Sequence, residues 1–354
     1  MVKTRITITS ILLTAVIMLS YISIFNGFAA AALIPSLAEA SSSIANNFSI
    51  KEYQVPPGSH PHDVAHTIAN QNNTVVWFTA QATGQLGKLD KLTGQTHLIP
   101  LGQGSAPHGV IIGPDGAPWI TDGGLNAIVR VDPKSEEIKT FPLPNESQQY
   151  ANLNTATFDK KGTLWFTGQS GIYGKLNIST GKIKIFDAPK GPGPYGITTT
   201  PNGSVYFASL AGSYIAQIKP TKNGSSAIVI EPPTPDQGAR RVWSDSQGKL
   251  WVSEWNAGKL GMYNPANNKW KEWKLPGENP MPYAVFVDQK DIVWLTDFGS
   301  NAFVRFDPFK ETFIEIKIPS PGANVRQIYG VPGEVWGAES GTDKIISIRT
   351  GGGP

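Results

Sequence analysis

KLWVSE, residues 249–254, decides the fold, because it returns along the chain in six other versions. These are VVWFTA (75–80), APWITD (117–122), TLWFTG (163–168), SVYFAS (204–209), IVWLTD (292–297) and EVWGAE (334–339). Their anchors Trp77, Trp119, Trp165, Tyr206, Trp251, Trp294 and Trp336 stand 42, 46, 41, 45, 43 and 42 residues apart. A period of about 40–45 residues built from several short strands is the signature of β-propeller blades. Seven anchors predict an all-β, seven-bladed propeller.

Working outward from each anchor, every repeat resolves into four antiparallel strands. A short apolar strand comes first, as in HGVII (108–112) or YGITT (195–199), and an Asx or glycine turn leads into the Trp strand. The third strand runs from Leu86 to Leu89, Ile128 to Val131 and their equivalents, down to Ile345–Ile348. The fourth ends in proline: KTFPLP, KIFDAP, KEWKLP, IEIKIP. Proline is tolerated there because an outer strand can lose a ladder donor. The last repeat lacks this strand, whereas IKEYQVP (50–56) ahead of the first repeat parallels KEWKLP. Pairing the N-terminal strand onto the last blade closes the ring and removes two exposed edges. The propeller is therefore expected over 50–348, with a loose tail at 349–354.

Residues 1–40 are of a different kind. Lys3 and Arg5 precede an almost charge-free run from Ile6 to Phe25, and Ala38-Glu39-Ala40 offers a cleavage site before the linker 41–49. This is the grammar of a signal peptide, although twenty apolar residues also suffice for an N-terminal membrane anchor. Both readings put the propeller outside the cell, secreted or held on the outer face of the membrane. Without cysteine there are neither disulfides nor thiolate metal sites. The 28 basic and 26 acidic side chains beyond residue 40 nearly cancel, which excludes a nucleic-acid footprint. The expectation is a monomer that takes a small or peptide-like ligand at the channel mouth and touches the membrane only through its N-terminal segment.

Two positions per blade face one mouth of the central channel. The entries to the first strand are His60-Pro61-His62, Pro107-His108, Asn152 with Asn154, Pro194-Tyr195, Arg240-Arg241, Pro282-Tyr283 and Asn324 with Arg326. The returns of the Trp strand are Ala80-Gln81, Asp122, Gly168-Gln169, Ser209, Glu254, Asp297 and Glu339. His62 and His108 occupy equivalent sites of neighbouring blades, with Asp122 returning beside the second. Two imidazoles and a carboxylate can hold a divalent metal or divide general-base and orienting roles. Tyr195, Arg240, Tyr283 and Arg326 are candidate substrate contacts. The arginines can meet an anion or balance Glu254, Asp297 and Glu339, the latter being favoured. Asn152, Asn154 and Asn324 read as turn formers, and the Trp anchors as packing.

The phrases PHGV, PYGIT, LWFTG, LWVSEWNAGKLGMY and VWLTDFGSNAFVRF resemble the virginiamycin B lyase (streptogramin lyase) family across all seven blades. The resemblance implies opening of a cyclic depsipeptide lactone by elimination. In it a histidine takes a proton next to the ester carbonyl, and Mg2+ held by acidic residues stabilises the negative charge. The family pattern places its two P-H phrases in the last two blades, where this chain has MPYAV and NVRQI. Tyr283 and Arg326 replace the histidines, and Asn324 replaces an acidic ligand. HPHDV and APHGV occur instead in blades 1 and 2. A site rotated by two blades would then use His62 and His108 as imidazoles and Asp122 as a metal ligand. Ala106 stands where the second acid belongs, leaving Glu339 to supply it. A non-catalytic binding or scaffold propeller is the alternative. A calcium-dependent lactonase resembling gluconolactonase is a further one, drawing on Glu254, Asp297, Glu339, Asn152 and Asn154.

Overall fold

The computed structural model describes residues 48–66, 74–144, 150–222 and 224–350. Seven four-stranded antiparallel sheets follow one another around an axis, and six of them are built from consecutive strands. The seventh contains the last three strands, Val325–Val331, Glu334–Glu339 and Lys344–Thr350, and takes Phe48–Gln54 as its fourth. Its register runs from Phe48 opposite Thr350 to Gln54 opposite Lys344. The closing strands thus begin at Phe48 and end at Thr350, slightly wider than the bounds read from the sequence. The signal or anchor segment lies outside the described residues, as does the tail from 351.

The borrowed strand reproduces the side-chain chemistry of an ordinary fourth strand. In blade 5, Lys259 Nζ meets Glu272 Oε2 at 2.8 Å and Thr234 Oγ1 at 2.7 Å. In blade 7, Lys344 Nζ meets Glu52 Oε2 at 2.7 Å and Ser320 Oγ at 2.6 Å. Glu52 of KEYQVP therefore stands where Glu272 of KEWKLP stands. Asp343 secures the crossing into blade 1, its carboxylate accepting from Gly58 N–H at 2.8 Å and His60 N–H at 2.7 Å.

The core lies between successive blades. One cluster joins Trp336, Ala338 and Ile345 of blade 7 to Val64, Val76 and Phe78 of blade 1 and to Tyr53 of the closing strand. All seven anchors are buried. Four of them also hold the turn that introduces them. Asp115, Asp159, Asp245 and Asp288 each accept from the indole N–H of Trp119, Trp165, Trp251 and Trp294, at 2.9–3.1 Å. Asp159, Asp245 and Asp288 also gather backbone N–H groups of the turn on the other carboxylate oxygen. One side chain thus satisfies both a buried donor and a tight turn.

Candidate functional site

The expected entry and return positions pair directly, Pro107 with Asp122 and Pro282 with Asp297 for example. Just beyond that pair, every inner strand carries one extra residue against the Trp strand, as between Pro61 and Val64 or Val325 and Ile328. Such a bulge bends a strand and re-aims its side chains. The residue following each entry pair forms an equivalent set: His62, His108, Asn154, Tyr195, Arg240, Tyr283 and Arg326. The next residues form a second layer, which includes Asp63, Thr155, Arg241 and Gln327.

The hydroxyl of the W-x-T phrase locks this geometry. Thr79 accepts from Asp63 N–H at 3.0 Å and donates to the carbonyl of His108 at 2.8 Å in the next blade. Thr121 links Gly109 to Asn154 in the same way, and Thr167 links Thr155 to Tyr195. Ser253 and Thr296 repeat the arrangement for Tyr283 and Arg326. Each hydroxyl satisfies an N–H freed by the bulge and fixes the backbone of the neighbouring blade's site residue.

At the axis these residues form one network. His62 Nδ1 lies 2.7 Å from Asp63 Oδ1, with both side chains buried. His62 Nε2 faces Tyr283 OH at 3.3 Å and Arg326 Nη1 at 3.4 Å. The His108 ring packs on His62 with centroids 3.7 Å apart, and its Nε2 accepts from Asn154 Nδ2 at 3.2 Å. Tyr195 OH and Tyr283 OH are 2.6 Å apart, and Arg240 Nη2 donates to Tyr195 OH at 2.9 Å. The Arg240 guanidinium lies over the Tyr283 ring, 3.8 Å from its centroid, and over Trp255 at 4.6 Å. Arg241 reaches under this layer to Asp63 Oδ1 at 3.3 Å and to Thr155 Oγ1. Arg326 is tethered to Ser340 Oγ at 2.8 Å.

The charges follow from burial and from the three guanidiniums. Burial, then Arg326, Arg241 and Arg240, hold His62 well below the usual imidazole range. Burial and the adjacent His62 do the same to His108. Both rings are neutral near pH 7. Burial raises Asp63 against the pull of Arg241. Burial also pushes the Tyr283 phenol up, but Arg240, Arg241 and Arg326 outweigh it and bring that group to about 8. The axis thus carries three guanidiniums against one carboxylate.

Several expected site residues point elsewhere. Asp122 accepts from Ala106 N–H and Leu125 N–H, both at 2.9 Å, and so caps its own loops. Asp297 does the same for Met281 at 2.6 Å and Gly299 at 3.0 Å. Glu339 turns towards Thr342, and burial pushes it up to about 7. Glu254 packs beside Gly261, where burial and Glu272 push it up to about 8. The arginines do not balance these acids: among the described residues their one ion pair is Arg241 with Asp63. Asn152 and Asn324 do adopt the positive φ of turn formers, at 51° and 49°. Asn154, by contrast, is a fully buried partner of His108. Sequence reading missed Asp63, although it sits inside HPHDV.

Ligand atoms of His62, Asp63 and His108 lie within 4.8 Å of one another, a His/Asp set of metal-binding spacing. Its chemistry does not suit magnesium or calcium. Those ions are bound mainly through oxygens, yet this set offers one carboxylate, already engaged by His62 and Arg241. Three guanidiniums add repulsion at low dielectric. Asp122 and Glu339, expected as metal ligands, lie outside this set: Asp122 caps loop N–H groups, and Glu339 turns one oxygen to Thr342.

Comparison with known proteins agrees with this architecture. The family model described as "Virginiamycin B lyase family" matches residues 37–279. A streptogramin B lyase structure superposes with a TM-score of 0.77 at 24% identity, covering 86% of this chain and 99% of that one. A catalytically inactive virginiamycin B lyase from Staphylococcus aureus with quinupristin gives 0.76 at 23% identity, covering 85% and 99%. A gluconolactonase from Zymomonas mobilis is 32% identical over 96 residues, which are 27% of this chain and 26% of that protein. The chain thus spans about a quarter of that curated relative.

Proposed function

The chain belongs to the virginiamycin B lyase family, and on that premise we propose that it opens a cyclic ester by elimination, using an imidazole base and arginines in place of a metal. The observation that carries this reading is the buried Asp63–His62 pair aimed at Tyr283 and Arg326. A carboxylate on Nδ1 holds the proton there and leaves the Nε2 lone pair facing the mouth. The two flanking groups at Nε2, a phenol and a guanidinium, are both donors to an anion.

The step balances without a second reactant. His62 Nε2 takes a proton from the carbon next to the one that bears the ring oxygen. The C–H electron pair becomes the new C=C bond, the C–O bond breaks, and its pair leaves on a carboxylate. Arg326 and Arg240 are suited to receive that carboxylate, since guanidinium forks match its geometry. His108 acts as a positioning residue that packs on His62 while Asn154 occupies its Nε2. Arg326 lies over Nε2, so the substrate displaces it on entry. The apolar run Ile6–Phe25 and the Ala38-Glu39-Ala40 sequence support an exported enzyme. Mass spectrometry of the native N-terminus tests that part, because an intact chain free in the cytoplasm contradicts it.

The test is turnover of a panel of cyclic depsipeptides and simple lactones with and without excess EDTA. The proposal expects ring opening that EDTA leaves unchanged. Activity that EDTA abolishes and Mg2+ restores would overturn the arginine mechanism, and no opening of any lactone would favour a binding propeller. The gluconolactonase match supports a second reading, in which the ring opens by hydrolysis; its product would be a hydroxy acid rather than an alkene.

A further inference from the structure

Beneath the Asp63–Arg241 pair the channel widens into a cavity of about 510 Å³. It is lined by the later residues of the inner strands, so it opens at the mouth opposite His62 and Tyr283. Its walls are largely apolar, with Ile111, Ile197, Val242, Trp243, Ile328 and Tyr329 among them. Trp243 and Tyr329 stand edge to face with centroids 6.1 Å apart, and Phe286 backs Trp243 at 5.1 Å. This volume lies within the range of small-molecule sites, about 300–1,000 Å³.

The polar end of the cavity is unfinished. Arg241 and Gln327 both line it, only 2% and 8% exposed, and Arg241 Nε and Gln327 Oε1 have no hydrogen-bond partner. Leaving a polar atom unmet at such depth is costly, and a ligand group would recover that cost. The lining carries Asp63, Asp159 and Asp245 against Arg241 and Lys160, but at the polar end, counted with the layer above, guanidiniums outnumber carboxylates three to one. Arg241 faces Asp63, Arg240 and Arg326 lie in the layer above, and the imidazoles between them are neutral. At the rim, Asp159 and Asp245 are held by indole N–H groups and turn backbone, and Lys160 is exposed. We propose that this cavity is a second binding site, separate from the His62 mouth, for a small planar aromatic monoanion. Its acid group meets Arg241 and its ring packs between Trp243, Tyr329 and the aliphatic wall.

The probe is 8-anilinonaphthalene-1-sulfonate, titrated by fluorescence and calorimetry against the intact propeller, with neutral N-phenyl-1-naphthylamine as its uncharged counterpart. The expected result is one saturable site per chain, with the neutral compound at least tenfold weaker. Thr199→Trp, which fills the cavity from its wall, removes binding. Gln327→Glu keeps the volume but sets a carboxylate beside the anion, weakening binding more than tenfold; it carries the test should Thr199→Trp misfold. Ser340→Ala, which releases the Arg326 tether at the opposite mouth, leaves the probe's affinity unchanged, so this site stands or falls apart from the elimination reading. Equal affinity for the neutral compound, or binding untouched by Gln327→Glu, would overturn the proposal.

Discussion

The second strands of the seven blades are nearly interchangeable, whereas the starts of their inner strands have little in common. At the anchor position six blades carry Trp and one Tyr, all buried, and a Thr or Ser two residues later staples five of the blade junctions. At the axis the equivalent set reads His62, His108, Asn154, Tyr195, Arg240, Tyr283 and Arg326, no residue type occurring more than twice. Repetition builds a frame whose bulges present a fixed set of positions, and departure from the repeat supplies chemistry at those positions. Frame and axis should therefore fail in different ways when altered.

The largest effect should come from the frame. Removing residues 48–54 strips blade 7 of its outer strand, uncovers Trp336 beside Tyr53 and deletes the Glu52–Lys344 pair. A loss of several kcal/mol is expected, read as a large drop in melting temperature. Melting unchanged by the deletion would mean that closure contributes nothing.

The axis should respond above all in rate. Asp63→Asn keeps the size of the side chain but removes the acceptor that fixes the proton on His62 Nδ1. Loss of a correctly oriented base typically costs ~10²–10⁴-fold in rate. Because Asp63→Asn also leaves the buried Arg241 without its ion-pair partner, the melting temperature should fall, and the rate is read at a temperature where the variant is folded. Turnover that survives Asp63→Asn would reduce the pair to a structural contact. Tyr283→Phe sharpens the same point, because Tyr283 titrates near 8. If its phenol serves as a hydrogen-bond donor, wild-type activity falls above that pH and the variant's activity no longer does.

A smaller effect distinguishes the acids of the frame from those of the axis. Burial raises Glu254 to about 8 in the folded protein, so folding favours its protonated form. Its contribution is fully present below the ordinary glutamate range, near ~4.3, and is lost as pH rises through about 8. Glu254→Gln should therefore gain melting temperature over wild type at pH 9, by ~2 °C or more, and differ little at pH 4. Equal curves at both pH values would place this carboxyl in water.

The frame was legible in the sequence because it repeats. Trp spacing gave the blade count, and the likeness of KEYQVP to KEWKLP gave the closure. The mouth was legible too, since the entry and return residues pair as alternation requires. Side-chain direction beyond that mouth was not. Asp122, Asp297 and Glu339 return to the correct face but each turns a carboxylate oxygen to a donor of its own loop, a local competition that spacing does not reveal. Asp63 escaped because the extra residue of the inner-strand bulge brings two successive positions, His62 and Asp63, to the axis, and an ordinary strand would send the second outward. Asn154 was read as a turn former for the same reason. The one available signal was that Asp63 follows His62 directly, as Arg241 follows Arg240.

The account rests on His62 as a base for elimination, and the mass of the product tests this most directly. Elimination opens a cyclic depsipeptide to a linear isomer of unchanged mass that carries a new alkene, even in ¹⁸O-labelled water. The prediction is that this isomer forms with the wild-type chain and is absent with His62→Ala, although that variant remains folded. A product that gains one labelled water, or an isomer formed at the wild-type rate by His62→Ala, would contradict it.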